Sequence, residues 1–179
     1  MNVLFIHGGG ENGYEVDAKL ASTLLQELGE AYNVYYPQMQ IDENLPDFGW
    51  LAQITKEISL IKDEVILAGH SLGASMLLKF LSENKIKNKI TGIFLISTPF
   101  WRGDEDWVQG LKLKEGFVKK LPNNVPIFLY HCRDDEEIPF EHLIFYKQKL
   151  LHVHFREIAE GGHQLNNDLA IVAQDIKSL

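Results

Sequence analysis

A chain of 179 residues, 45% hydrophobic and 23% charged, is long enough to build a core of its own and is expected to form one domain, 1–179. Its formal net charge of -8 repels phosphate backbones and anionic bilayers, which argues against nucleic acid or a membrane surface as partner and leaves small neutral or weakly charged ligands. The single cysteine, Cys132, asks for no oxidising compartment, the opening MNVLFIHGGG is too short in apolar residues for a secretion signal, and no apolar run reaches membrane-spanning length, so a cytoplasmic location is expected.

Short apolar, β-branched runs alternate with helically periodic stretches from end to end, which is the α/β pattern. The first strand is expected over Val3 to His7 and closes on FIHGGG, residues 5 to 10. Glu15 to Leu28 follows, with Val16, Leu20, Leu24 and Leu28 spaced on one helical face. A second strand over Asn33 to Tyr36 precedes a helix carrying Leu51, Ile54, Ile58 and Ile61. The third strand, Glu64 to Gly69, runs directly into Gly69-His70-Ser71-Leu72-Gly73 and the helical stretch SMLLKFL. Thr91 to Ser97 is the fourth strand, Val125 to His131 the fifth and Val153 to Ile158 the sixth, with helices expected after Pro139 and Asn167. Right-handed crossovers then give an open parallel sheet, doubly wound, with helices on both faces and ligands at the carboxyl ends of its strands. Residues 98–124 are long for a plain connection and hold Phe100, Trp101, Trp107 and Phe117, which suggests a small cap segment over the site.

The chemistry concentrates in three stretches. Gly69-x-Ser71-x-Gly73, placed between a buried strand and a helix, sets Ser71 in a sharp turn that small neighbours permit. Its hydroxyl then stands at a helix N-terminus, where amides favour developing negative charge. The glycines of FIHGGG allow backbone N–H groups to approach a substrate carbonyl as an oxyanion hole requires; Gly9 and Leu72 are the candidate donors, with Gly10 the rival to Gly9. A Rossmann-type phosphate loop is not met, because Pro37 rather than an acidic residue closes the second strand.

A serine nucleophile needs a base, and seven histidines compete. His70 adjoins Ser71 and His7 precedes it, so both read as structural. His152 and His154 are two apart in an expected strand, and His142 belongs to a helix. His163, in AEGGHQL on a Gly-Gly turn after the last strand, is at the ligand-bearing edge and is the candidate general base and acid.

The order Ser71, an acid, then His163, with His-Gly-Gly-Gly on an early strand and GHSLG on a later one, resembles the α/β-hydrolase superfamily over essentially the whole chain. The short length and GHSLG are similar to the compact YdeN and retinoblastoma-binding-protein type of serine hydrolase, although that type has a different turn at HGGG, so its ligand and partner properties are not carried over. The resemblance implies a mostly parallel six-stranded sheet in the order 2-1-3-4-5-6, without the first two strands of the larger fold, and a serine hydrolase triad. The acid belongs after the fifth strand, where HCRDDEEIP offers Asp134, Asp135, Glu136 and Glu137. The superfamily often reads G-x-x-D-x-x-V-P there, and Cys132-x-x-Asp135-x-x-Ile138-Pro139 aligns Asp135 with it, Cys132 standing where glycine is usual. Asp134, Glu136 and Glu137 read as a solvated turn, the two glutamates favouring the next helix N-terminus, and the run lacks the alternate ligands and central glycine of a calcium loop.

The expectation is a metal-free, cofactor-free serine hydrolase acting on a small acyl ester: Ser71 attacks, His163 moves the proton, Asp135 orients His163, and Gly9 and Leu72 bind the oxyanion. Phe100, Trp101 and Trp107 are the candidate acyl pocket. A thioesterase, an acyltransferase and a non-catalytic interaction module on the same fold are the competing readings.

Overall fold

Strands that are apolar on both faces must be covered on both faces, and the alternation of their side chains divides the core in two. In the computed structural model, which describes residues 1–179, the strands are β1 (Asn2–Ile6), β2 (Asn33–Tyr35), β3 (Val65–His70), β4 (Ile90–Ile96), β5 (Ile127–Cys132) and β6 (His154–Ile158). The helices are α1 (Gly13–Leu28), α2 (Trp50–Leu60), α3 (Ser71–Glu83), the single turn α4 (Asp106–Gln109), α5 (Glu141–Lys149) and α6 (Ala170–Lys177). All strands are parallel, in the order β2-β1-β3-β4-β5-β6. Leu4, Ile6, Val65, Leu67, Ile93, Leu95, Ile127 and Leu129 face one way and pack with α2, α3 and α5. Val3, Phe5, Ile66, Ala68, Phe94, Ile96, Phe128 and Tyr130 face the other way and pack with α1 and α6. No helix is long and apolar enough to cross a membrane.

Each strand lies within two residues of its expected place, and the sheet order matches the expectation. Two local expectations do not hold. On α1 the buried residues are Gly13, Asp17, Leu20, Ala21, Leu24 and Leu28, whereas Val16 is 51% exposed. Both positions fit a helical period with the leucines, and the carboxylate is inside because it has partners there. His152 lies in the turn before β6 and only His154 is in the strand, where it stacks on Phe128 at 4.5 Å between ring centroids. The exposed edge strand β6 is held by charge: Arg156 forks onto Asp175 of α6, which also accepts a hydrogen bond from the Tyr130 hydroxyl.

Residues 98–124 pack down rather than stand free. Val108, Leu111, Phe117 and Leu121 are buried, with a 3₁₀ turn over Phe117–Lys120 against α3. Phe100 meets the Tyr146 ring edge-on at 5.0 Å, and the Trp101 indole donates to Ser75 Oγ on α3 at 3.0 Å.

The approach of α3 to β1 is the contact that positions everything at the carboxyl edge. A Cβ on Gly73 would come 2.3 Å from the His7 carbonyl oxygen and 2.4 Å from that of Ile6, so only glycine lets the helix begin this close to the strand end. Gly69 is confined in the same way by the Ala74 amide at 2.9 Å. Gly73→Ala should therefore cost about 3 kcal/mol or more of stability by overpacking backbone against backbone. Gly116→Ala, at a positive φ of 73° with open space around it, should cost only about 1 kcal/mol. Urea unfolding of the two variants measures the difference, and equal costs would contradict the packing account.

Candidate active site

Loops that follow β1, β3, β5 and β6 converge on one cleft of about 320 Å³, lined by Gly8, Gly9, Gly10, Ser71, Glu137 and His163 among others. Ser71 is the first residue of α3 and has φ +50°, a left-handed conformation of the kind that costs on the order of 1–3 kcal/mol and persists where surroundings enforce it. The enforcing contacts are those at Gly69 and Gly73.

The glycine loop divides its amides between two jobs. The Gly8 N–H donates to Asp17 Oδ2 at 2.6 Å and is occupied. Those of Gly9 and Gly10 donate no hydrogen bond within the protein. A Cβ on Gly9 would meet Leu72 Cδ2 at 2.7 Å, so Gly9 lies directly against Leu72, the other candidate donor. Gly10, at φ +92°, faces open space.

His163 is 2% exposed, and its Nδ1–H points between both oxygens of Asp135 at 3.0 Å each. Asp135 is fixed in turn, since its Oδ1 accepts the backbone N–H groups of Glu137 and Ile138 at 3.0 and 2.8 Å. Burial raises the Asp135 pKa, but the His163 hydrogen bond and charge and the two backbone amides outweigh it, so Asp135 stays below its ordinary range. For His163, burial lowers the pKa; the hydrogen bond and charge of Asp135, with the charges of Glu137 and Asp17, outweigh that and raise it. No hydrogen bond joins Ser71 to His163 in this structure, and the His163 Nε2 faces Glu137 Oε2 at 3.6 Å. Contacts between nucleophile and base are often loose in free enzymes and tighten around substrate.

Asp134, Glu136 and Glu137 are exposed, as expected of a solvated turn, but their carboxylates also hold the turn that carries His163. Asp134 accepts the N–H groups of Gly161 and Gly162 at 2.9 to 3.1 Å, and Glu136 Oε2 accepts the His163 N–H at 3.0 Å. With Asp135 on the ring and Glu137 beside Nε2, all the carboxylates of the run engage the 161–163 turn. Positive φ at Gly161 and Gly162 turns the amides toward them. Cys132, the departure from the glycine usual at its position, sits fully buried at the end of β5 with its sulfur against Gly161. Burial, then Asp134, Asp135 and Glu136, push its thiol up to about 12, so it serves as packing.

Sequence reasoning missed several neighbours. Asp17 and His70, both 1% exposed, are joined at 2.8 Å, and the His70 Nε2 contacts the His163 carbonyl oxygen at 2.9 Å. Ser97 donates to that same oxygen at 3.0 Å. His131 donates from Nε2 to the Ile138 carbonyl and lies 3.4 Å from Asp135. The one signal for Asp17 is an acid in phase with Leu20, Leu24 and Leu28. The remaining histidines are spent elsewhere: His7 bonds the Gly8 carbonyl and the Met39 N–H, and His142 accepts the Phe100 N–H. Phe100, Trp101 and Trp107 do not line the cleft; the first two pack on the core and Trp107 is 59% exposed.

Comparison with known proteins accords with this arrangement. The pattern of the family described as serine hydrolase matches residues 16–169. No curated protein sequence matches the chain. Among solved structures, a serine hydrolase involved in carbazole degradation, the CarC enzyme, superposes with a TM-score of 0.72 at 12% identity, covering 99% of this chain and 90% of that one. Est1E from Butyrivibrio proteoclasticus with ferulic acid bound gives 0.72 at 18%, covering 99% and 86%. SOBER1 from Arabidopsis thaliana gives 0.66 at 18%, covering 99% and 98%. At these identities the likeness is one of fold.

The Glu137 contact makes a specific prediction about pH. A base with a raised pKa works only above that pKa, so activity that depends on unprotonated His163 is lost as pH falls through it. Glu137→Gln removes one of the charges that raise it, and the acid limb of the kcat/KM profile should move to lower pH. A limb that stays in place would show that Glu137 does not act on His163.

Proposed function

The chain belongs to the serine hydrolase family, and from that premise we propose that it hydrolyses a small carboxylic ester through an acyl-enzyme at Ser71. The observation that carries this reading is the junction, in one cleft, of a serine held at positive φ and a buried histidine whose Nδ1 is fixed by a carboxylate. The Ser71 oxygen attacks the ester carbonyl while His163 Nε2 takes its proton. Negative charge collects on the carbonyl oxygen and is bound by the Gly9 and Leu72 N–H groups, reinforced by the N-terminus of α3. Collapse breaks the bond to the alcohol, which leaves with the proton from His163. Water, deprotonated by the same nitrogen, then attacks the acyl group and frees Ser71. Asp135 holds the imidazole in the tautomer that leaves Nε2 able to accept, and it stabilises the imidazolium once formed. Glu137 is 66% exposed at its side chain and yields its place beside Nε2 when an ester enters.

Charge narrows the substrate. The cleft lining carries the carboxylates of Glu11 and Glu137, with Asp17 buried behind it, and no lysine or arginine. A focused negative potential favours neutral or cationic esters and disfavours anionic ones, among them thioesters of coenzyme A with their phosphates. That Est1E holds ferulic acid is in keeping with a small ester as substrate here.

Two variants test the assignment. Ser71→Ala should abolish hydrolysis of a p-nitrophenyl ester with no loss of thermal stability, because Ser71 is only half-buried and alanine keeps its Cβ. Asp135→Asn should lower kcat by about 10³-fold or more by favouring the wrong histidine tautomer. Ester hydrolysis that survives in Ser71→Ala would place the reaction elsewhere.

A further inference from the structure

We infer that Asp17 and His70 are positioning residues, a second carboxylate–histidine pair that locks the oxyanion loop and the base loop to one another. The inference rests on the proposed role of Ser71 and His163. The pair is almost fully enclosed, with Asp17 and His70 each 1% exposed and Ser97 fully buried beside them. Asp17 Oδ2 accepts the Gly8 N–H at 2.6 Å and the His70 Nδ1–H at 2.8 Å. His70 Nε2–H donates to the His163 carbonyl oxygen at 2.9 Å, and Ser97 Oγ–H donates to that oxygen at 3.0 Å. One continuous chain of hydrogen bonds therefore runs from the loop after β1, through α1 and the end of β3, to the turn after β6.

The proton count of this chain is informative. Both ring nitrogens of His70 face acceptors, so both hydrogen bonds form together only when the ring carries two protons and is paired with the Asp17 carboxylate. A buried charge without its partner costs several kcal/mol, so neither member is replaceable by an apolar residue at no cost. The titratable groups around the ring are Asp17 from α1, His163, whose ring centroid is 4.7 Å away, and His7.

Two consequences follow for the site. Occupation of the Gly8 amide leaves Gly9 and Gly10 as the glycine-loop donors free for an oxyanion. Fixing the His163 carbonyl adds a second hold on that residue, independent of Asp135, at the opposite end of its backbone from the Glu136 contact. The imidazole is thus set against Ser71 by its main chain as well as by its ring. A displacement of about 1 Å between reacting groups can cost on the order of 100-fold in rate, which sets the scale of the effect.

The experiment compares His70→Ala, Asp17→Ala and Ser97→Ala with wild type in ester hydrolysis, per active site titrated with a fluorophosphonate. The expected result is kcat lower by about 10- to 100-fold in His70→Ala and Asp17→Ala with KM within about threefold of wild type. Ser97→Ala, which removes only the second donor to the carbonyl, keeps the test decisive if His70→Ala does not fold, and should lower kcat by about 3- to 10-fold. Wild-type kcat per titrated site in Asp17→Ala and Ser97→Ala would overturn the inference, leaving the pair a stability element only. Wild-type protein that fails to react with the probe would instead defeat the hydrolase reading itself.

Discussion

The paired 3.0 Å contacts between His163 Nδ1 and the Asp135 carboxylate are the constraint on which the rest of the cleft depends. A histidine after the last strand has no regular ladder to hold it, and a glycine pair before it leaves the backbone free to wander. The chain answers with the DDEE run. Asp134 takes the Gly161 and Gly162 amides, Asp135 takes the ring and Glu136 takes the His163 amide, so one turn is gripped at each of its exposed donors by the turn after the neighbouring strand. Asp135 can serve because Glu137 and Ile138 donate to it from behind. The four consecutive carboxylates repel one another in water, and placing backbone donors among them offsets that repulsion.

The parallel sheet brings these turns together. Pairing of β5 with β6 in parallel puts the turn after each at the same edge, and pairing of β1 with β3 does the same for the glycine loop and Ser71. Glycine at 73 then lets α3 start in contact with the last carbonyls of β1, which sets Leu72 against Gly9. The buried Asp17 and His70 cross between the two halves. The site is thus built from backbone geometry at the serine and glycine loop, and from side-chain acids at the histidine.

Much of this was legible in the sequence where local chemistry and global position agree. GHSLG after a continuous apolar run names the turn by the space it must fit, and the same is true of the glycine loop after β1. Asp135 was reached through a family register, not through its own spacing, and its contact with His163 agrees with that register. The roles of Asp134 and Glu136 were not legible, because the amides they accept lie 27 or 28 residues away in a turn with no periodicity. Asp17 was hidden by Val16, since the two stand three and four residues before Leu20, both within reach of the same helical stripe, and valine is the usual core residue. The aromatics of residues 98–124 looked like a pocket by composition alone, yet the Trp101 indole is committed to Ser75 and Phe100 to the Tyr146 ring.

The most direct test of the account is a crystal structure of the protein after reaction with a fluorophosphonate, which mimics the tetrahedral species. It should show phosphorus bonded to Ser71 Oγ, the phosphoryl oxygen within hydrogen-bonding distance of the Gly9 and Leu72 N–H groups, and His163 Nε2 turned to the adduct with Asp135 still on Nδ1. An adduct on any other residue, or a phosphoryl oxygen that avoids the glycine loop while His163 remains against Glu137, would contradict it.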